Sequence, residues 1–290
     1  MSIFDQKVIK YEMKPLSSLE KVFPDETPVY RMECQMLSGL WGETVSFQVA
    51  YTGDFVMRER LDVRVVSELA EHVHVRTVEM VPVGRATNGI VDDNYLKTTS
   101  GLYPDLLKDL KDGKVIVYSR QWRSLWVDVD ITNEIPAGEY EIELQLIKEG
   151  EVVCSAKQKV TVIGTELPKL DIMHTEWMHA DCLADYYHVE VFSEEHWKLL
   201  ENYFQEYVKR DCNMMLTPLF TSPLDTAIGL ERTTCQLIDV EVKDGEYVFG
   251  FEKLKRWIDL CKKCGIEYFE MSHLFSQWGA KYAPKVVATV

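Results

Sequence analysis

Long apolar runs are missing from this sequence. No window approaches the roughly 18 residues that a membrane span requires, and the opening Met1-Ser-Ile-Phe-Asp-Gln-Lys7 is not a charged-then-apolar leader. Both absences point to a cytoplasmic protein with no membrane partner. Basic charge is also scarce. Lys and Arg number 32 against 47 Asp and Glu, a net charge of −15 at pH 7, so a nucleic-acid backbone or an anionic lipid surface is repelled. An acidic surface that keeps the chain dissolved is the ordinary reason for such a balance. Cysteine is present without a pattern: Cys34, Cys154, Cys182, Cys212, Cys235, Cys261 and Cys264 form an odd, irregularly spaced set. Several sit in apolar periodic runs, as small hydrophobes do, which predicts reduced thiols and no disulfide framework.

Nucleotide and nucleophile signatures are absent too. There is no glycine-rich phosphate loop, no G-x-S-x-G elbow and no dinucleotide fingerprint, so no cofactor is expected. Metal-ligand types do cluster in His174, Glu176, His179, Cys182 and Asp185. The two-histidine zinc motif needs a spacing of four on one helix face; these histidines are five apart and follow a strand-like run, so no metal site is expected. Cys261-Lys-Lys-Cys264 lacks a second pair, and it closes a helix where the dipole disfavours a thiolate. A structural role is expected for it.

The 290 residues are enough for two domains, and 46% apolar with 27% charged content is ordinary for a globular chain. After a mixed opening segment to about residue 27, strand-like alternation recurs: Val29 to Met36, Glu43 to Tyr51, Leu61 to Val66, Val73 to Val78, Ser124 to Asp130, Tyr140 to Leu146 and Lys157 to Ile163. Glu149-Gly150-Glu151 is a tight turn joining the last two. Residues 1–164 are therefore expected to form an antiparallel β-sandwich domain. Pro104 in Gly101-Leu-Tyr-Pro-Asp-Leu-Leu107 argues for an ordered loop across Tyr95 to Lys114, packed by Leu102, Tyr103 and Leu106.

Gly164 and Pro168 bracket a change of period from two to 3.6. Beyond it the order is strand (Leu170 to Met173), helix, strand (Asn213 to Thr217), hairpin turning at Asp244-Gly245, helix, strand (Ile266 to Met271). Ser193 caps the first helix, whose stripe is Trp197, Leu200, Tyr203, Phe204, Tyr207 and Val208. The second carries Phe251, Leu254, Trp257, Ile258 and Cys261 on one face and stops at Gly265. Helices between such strands imply parallel pairing. The fold class expected is multidomain β + α/β: the sandwich, then residues 165–290 as an incomplete (β/α) TIM-type barrel, cut short in mid-structure at Val290.

Polar residues gather where the three strands end. His174, Glu176 and Trp177 follow the first, Thr217 and Pro218 end the second, and Ser272, His273 and Trp278 follow the third. If the strands are parallel neighbours, all open on the carboxyl-end face where barrel enzymes place their sites. Trp177, Trp278, Tyr186 and Tyr187 offer flat platforms that suit sugar faces. The alternative is that the tryptophans merely cover the barrel mouth and the histidines are packing residues. Glu176, Asp181 and Asp185 lie nearby, yet loop roles explain them equally well. The only adjacent Asp-Glu pair, Asp25-Glu26, is far from this face.

Several phrases resemble glycoside hydrolase family 123: Gly101 to Leu107, Trp126-Val-Asp-Val-Asp-Ile131 and Ile135-Pro-Ala-Gly-Glu-Tyr140 in the first half, His174-Thr-Glu-Trp177, Ser272-His273-Leu-Phe275 and Trp278-Gly279 in the second. The resemblance implies an exo-acting β-N-acetylgalactosaminidase and, as partner, a carbohydrate ending in an N-acetyl amino sugar. It also implies a retaining mechanism in which the sugar's acetamide oxygen attacks, an Asp steers that amide and the neighbouring Glu protonates the leaving oxygen, a known departure from the two-carboxylate scheme. That Asp-Glu pair is expected beyond Val290, so the catalytic residues are unassigned and the 290-residue chain is expected to be inactive. Substrate contact is expected from His174, Glu176, Trp177, Asp181, His273 and Trp278. A non-catalytic carbohydrate-binding or structural module is the rival reading. Oligomeric state is open.

Overall fold

Alternation such as Ile142, Leu144, Leu146 turns every second side chain to one face. In the computed structural model that face is the core of a β-sandwich. Residues 10–29, 36–55, 58–87, 89, 94–169, 171–222, 231–275, 279 and 283–290 are described. The chain divides into two units, Met1–Pro168 and Lys169–Val290.

The described residues of the first unit form ten strands: β1 (Lys10–Ser17), β2 (Leu37–Trp41), β3 (Thr44–Asp54), β4 (Glu59–Val66), β5 (Val73–Val83), β6 (Gly101–Asp109), β7 (Lys114–Val117), β8 (Arg123–Asp130), β9 (Gly138–Lys148) and β10 (Glu151–Glu166). One sheet has the order β1-β3-β8-β5-β6 and the other β2-β10-β9-β4-β7. Phe47, Val49, Leu125, Val127 and Val129 from the first pack with Leu61, Val115, Ile142, Leu144, Leu146, Val160 and Val162 from the second. Each such side chain contributes about 1.5–3 kcal/mol by leaving water. The turn between β9 and β10 has Glu149 at φ 52° and Gly150 at φ 88°, the twist that a two-residue hairpin favours.

Four expectations are corrected here. The opening segment contains an edge strand, since β1 pairs with β3 from Lys10↔Asp54 to Ser17↔Phe47. The expected loop around Pro104 is β6, paired antiparallel with β5. It is an outer strand, and Pro104 pairs with Met80 beside a register shift, the kind of position where a missing N–H does not break a ladder. Leu102 and Leu106 are exposed there, while Tyr103 meets Phe23 edge-on at 6.1 Å. The sandwich is not wholly antiparallel, because β2 runs parallel to β10. Finally, Asp171 to Met173 is not a strand. Of the run Val29 to Met36, residues 30–35 lie outside the described residues, as do Leu170 and Cys34.

The second unit contains α1 (Ala180–Tyr187), α2 (Glu194–Val208), β11 (Met214–Thr217), β12 (Asp239–Lys243), β13 (Glu246–Gly250), α3 (Glu252–Cys264) and β14 (Tyr268–Met271). The hydroxyl of Ser193 accepts from the His196 amide at 3.2 Å, fixing the start of α2. α3 ends at Gly265 with φ 104°. A Cβ there would also meet Val208 Cγ1 at 3.3 Å, so both conformation and space call for glycine. The hairpin β12–β13 turns at Asp244 and Gly245, at φ 53° and 85°. β11 and β14 pair in parallel from Met214↔Tyr268 to Thr217↔Met271. Trp197, Leu200, Phe204, Met215, Trp257, Cys261 and Ile266 fill the core of this unit, with Phe204 edge-on to Trp257 at 5.0 Å. Two barrel-type strands are therefore described where three are expected. All six described cysteines are free thiols. Burial pushes the Cys261 and Cys264 thiols up, which suits inert packing.

α1, not foreseen from sequence, is tied to α2 by a buried histidine. His196 Nδ1 accepts from the Phe192 amide at 2.9 Å and Nε2 faces the Ala180 carbonyl at 3.0 Å. That pattern needs the neutral ring, and burial lowers its pKa below the ordinary value of 6.5. The folded state then binds fewer protons than the unfolded one. Its contribution is fully present above about pH 6.5 and is lost as pH falls towards the folded value. Chemical denaturation between pH 7 and pH 5 should show stability falling, with a smaller fall in His196→Gln. Leu144→Ala should lower stability by about 2–5 kcal/mol in urea unfolding at pH 7, through lost burial and a residual cavity.

Candidate functional site

The site is built on β11, whose first neighbour is attached by side chains and by two backbone bonds to a single carbonyl instead of a continuous ladder. Asn213, just before β11, accepts from the His174 amide through Oδ1 at 2.8 Å and donates from Nδ2 to the Ile172 carbonyl at 2.8 Å. The amides of Asn213 and Met214 both donate to His174 O, at 3.0 and 3.1 Å. On the other side the Asn213 carbonyl accepts from Glu267 and Tyr268 at 3.0 Å each. One residue thus joins segment 172–174, β11 and the start of β14. A carboxamide can do this because it presents the same donor and acceptor as a peptide.

Further along, Tyr207 of α2 takes over. Its hydroxyl accepts from the Glu176 amide at 2.8 Å, donates to the Met214 carbonyl at 2.6 Å, and lies 3.3 Å from Thr175 Oγ1. The phenol stands between two backbones, where a direct strand–strand bond would otherwise form. Burial raises its pKa, partly opposed by its contacts with Thr175 and Glu176, so the donated proton stays in place.

Held this way, the segment delivers Trp177 to β14. The indole Nε1 donates to Glu270 at 2.9 Å, and the ring lies 5.5 Å from the His273 ring at 76°. Trp177 is 47% exposed, so part of its face is open to a ligand. At the ends of the strands the Ser272 amide donates to Thr217 O at 2.9 Å, and Leu237 N bonds Pro218 O and Leu219 O at 3.0 and 3.2 Å. Thr221 Oγ1 accepts from the Cys235 amide at 3.1 Å. These bonds fasten the loops that flank the Trp177–Glu270–His273 group.

The expected common face divides. Trp177 and His273 meet near the carboxyl end of β14, whereas His174 lies at the amino end of β11. There His174 Nδ1 is 3.2 Å from Asp211 O, and Nε2 is 3.6 Å from the exposed Glu176 carboxylate. The reason is that backbone bonding to β11 starts at His174, after the Asn213 side chain has met the Ile172 carbonyl, so His174 falls beside the first residues of β11. Asp181 points inward, in a bidentate pair with Arg232 at 2.8 and 3.1 Å, both side chains nearly buried. Asp185 accepts from Thr233 at 2.9 and 3.0 Å. These two carboxylates anchor segment 231–237. Tyr186 and Tyr187 project from α1, Tyr187 sharing a hydroxyl contact of 3.0 Å with Tyr203. Trp278 lies outside the described residues. Glu270, Tyr207 and Asn213 were not singled out from the sequence. Glu270 was the most visible of them, as an acid inside the run Tyr268-Phe-Glu-Met271. Among the described residues no three His, Cys, Asp or Glu side chains converge as metal ligands, and no helix is long and apolar enough to cross a membrane.

Residues 177–289 match the glycoside hydrolase 123 catalytic domain. No curated protein sequence matches the chain. Among solved structures, a family 123 glycoside hydrolase from Clostridium perfringens, described for glycolipid glycan hydrolysis, is similar with a TM-score of 0.66 and 13% identity. The match covers 94% of this chain and 51% of that one, so this chain spans about half the length of that relative. At that identity the likeness is one of fold. A β-glucosidase from Listeria innocua (TM-score 0.25, 10% identity, 55% of this chain and 17% of that) and the N-terminal domain of PorA (0.26, 11%, 50% and 99%) are too distant to indicate a shared fold.

Tyr207→Phe should leave the Glu176 amide and the Met214 carbonyl without their shared partner. Faster hydrogen exchange at Glu176, with a loss of about 0.5–1.5 kcal/mol in stability, is expected from the removal of part-buried hydrogen bonds. Unchanged exchange at Glu176 would show that the phenol does not hold the segment.

Proposed function

We propose that this chain, whose residues 177–289 match the glycoside hydrolase 123 catalytic domain, grips the terminal N-acetyl amino sugar of a glycan at Trp177. The observation that carries this is the exposed indole fixed by Glu270 and flanked by His273. A ring face beside a carboxylate and an imidazole offers stacking and hydrogen bonding together, the pairing a pyranose needs. Trp177 supplies the platform, Glu270 and His273 the polar contacts. His174 and Glu176 act behind the platform, and Asp181 holds the loop over Arg232. A glycolipid glycan is the natural candidate substrate. On this reading residues 1–164 are a sandwich domain, and residues 165–290 are the opening part of a (β/α) barrel in which β11 and β14 are neighbouring staves.

Hydrolysis by the family's acetamide-assisted route needs an adjacent Asp and Glu at a strand end. Here the one adjacent pair, Asp25-Glu26, belongs to the sandwich unit. Lys97 binds it, at 3.4 Å from Asp25 and 2.7 Å from Glu26. The 290 residues therefore contribute sugar contact without the acid pair. A non-catalytic carbohydrate-binding role is the second reading, favoured by the same observation.

Calorimetry with N-acetylgalactosamine should show binding that Trp177→Ala weakens about tenfold, near 1.4 kcal/mol. The chain should release no phenol from an aryl β-N-acetylgalactosaminide. Turnover would refute the assignment of the acids, and equal binding by the variant would refute the platform.

A further inference from the structure

A cleft of about 720 Å³ opens between the two sheets of the first unit, lined by residues of β4 and β7 on one side and β5 and β6 on the other. Its charge opposes that of the molecule. In a chain of net charge −15, Arg58, Arg60, Lys108, Lys111, Lys114 and Arg123 line it. The acids of the lining are Glu59, Glu79 and Asp109. Part of this charge is already matched: Arg60 to Asp112, Lys114 to Asp62 and Glu59 to Lys148, each at 2.9 Å. Among the described residues no carboxylate comes within ion-pair distance of Arg58, Lys108, Lys111 or Arg123. A cationic surplus is left.

Arg123 adds direction. Its guanidinium carbon lies 5.0 Å from the centre of the Tyr118 ring, and Nη2 donates to Gln121 at 3.0 Å. Its Nε is shielded from solvent and has no acceptor among the described residues. Tyr51 lines the same cleft, its hydroxyl donating to Ile116 O at 3.4 Å. Cations beside aromatic rings, in a volume typical of small-ligand sites, suit a ring-shaped anion. A long polyanion does not suit it. The chain's overall charge repels whatever extends more than a Debye length, about 8 Å at physiological salt, from the cleft.

We infer that this cleft binds a short anionic saccharide bearing carboxylate or sulfate groups, as a second sugar site besides Trp177. The choice of saccharide over another small anion rests on the proposed function. The cationic cleft itself does not.

The test is calorimetry of the 290-residue chain with three tetrasaccharides: chondroitin (carboxylate only), chondroitin 4-sulfate (carboxylate and sulfate) and neutral chitotetraose. Chondroitin 4-sulfate is expected to bind and chitotetraose not to compete with it. Binding of unsulfated chondroitin as well would name the carboxylate as the recognised group, and its absence would name the sulfate. Lys108→Glu combined with Lys111→Glu, both exposed and so compatible with folding, should weaken binding at least tenfold, and Trp177→Ala should leave it unchanged. Failure of both acidic sugars to bind, displacement by chitotetraose, or unaltered affinity in the double variant would overturn the inference. Loss of N-acetylgalactosamine binding at Trp177 with the cleft still active would instead count against the proposed function.

Discussion

The carboxamide of Asn213 is the interaction on which the second unit depends. It stands in for a peptide, satisfying the Ile172 carbonyl and the His174 amide, while its own backbone serves β14. Segment 172–176 is half-buried at most, so Asn213 acts less by rescuing buried polar groups than by fixing where the segment runs beside β11. Tyr207 extends the same solution by one step. Trp177 reaches Glu270 only because these two residues set the path of the chain. The rim of a strand-end site is usually credited to its strands, but here two polar side chains set its geometry.

The sandwich owes its order to a simpler constraint. Period-two burial in β9 and β10, facing the inward Phe47 and Val49 of β3 and Leu125, Val127 and Val129 of β8, fixes register, since a slip by one residue would turn these side chains away from the core between the sheets. The edges are handled differently. β6 carries Pro104 and β1 carries Pro15, both on outer strands, where they discourage pairing with another chain. The same edge region leaves room between the sheets for the cationic cleft.

Much of this was readable beforehand. α2 and α3 were legible because their apolar stripes and their end residues, Ser193 and Gly265, agree on the same limits. The hairpin at Asp244-Gly245 and the turn at Glu149-Gly150 were legible from two-residue turn chemistry. β6 was not, because proline's meaning depends on whether a strand is central or outer, and a single sequence does not say which. The run Leu170 to Met173 is apolar enough for a strand, yet its described residues meet β11 only through the Asn213 side chain, and backbone bonds begin at His174. That offset moved His174 to the opposite end of β11 from the one expected. Asp181 was visible as an acid near the site, but its partner Arg232 lies 51 positions away, beyond what local spacing can reveal. Trp177 and His273 were legible as strand-end residues, whereas the contact between them is purely tertiary.

An inserted phenol has one further effect. Ladder bonds in a sheet open together, but the strip from Ile172 to Glu176 is held by the Asn213 carboxamide, the Tyr207 phenol and two bonds to the His174 carbonyl, so its opening is separate from that of the β11–β14 ladder. The margin that carries Trp177 is thus fastened differently from the paired strands beneath it.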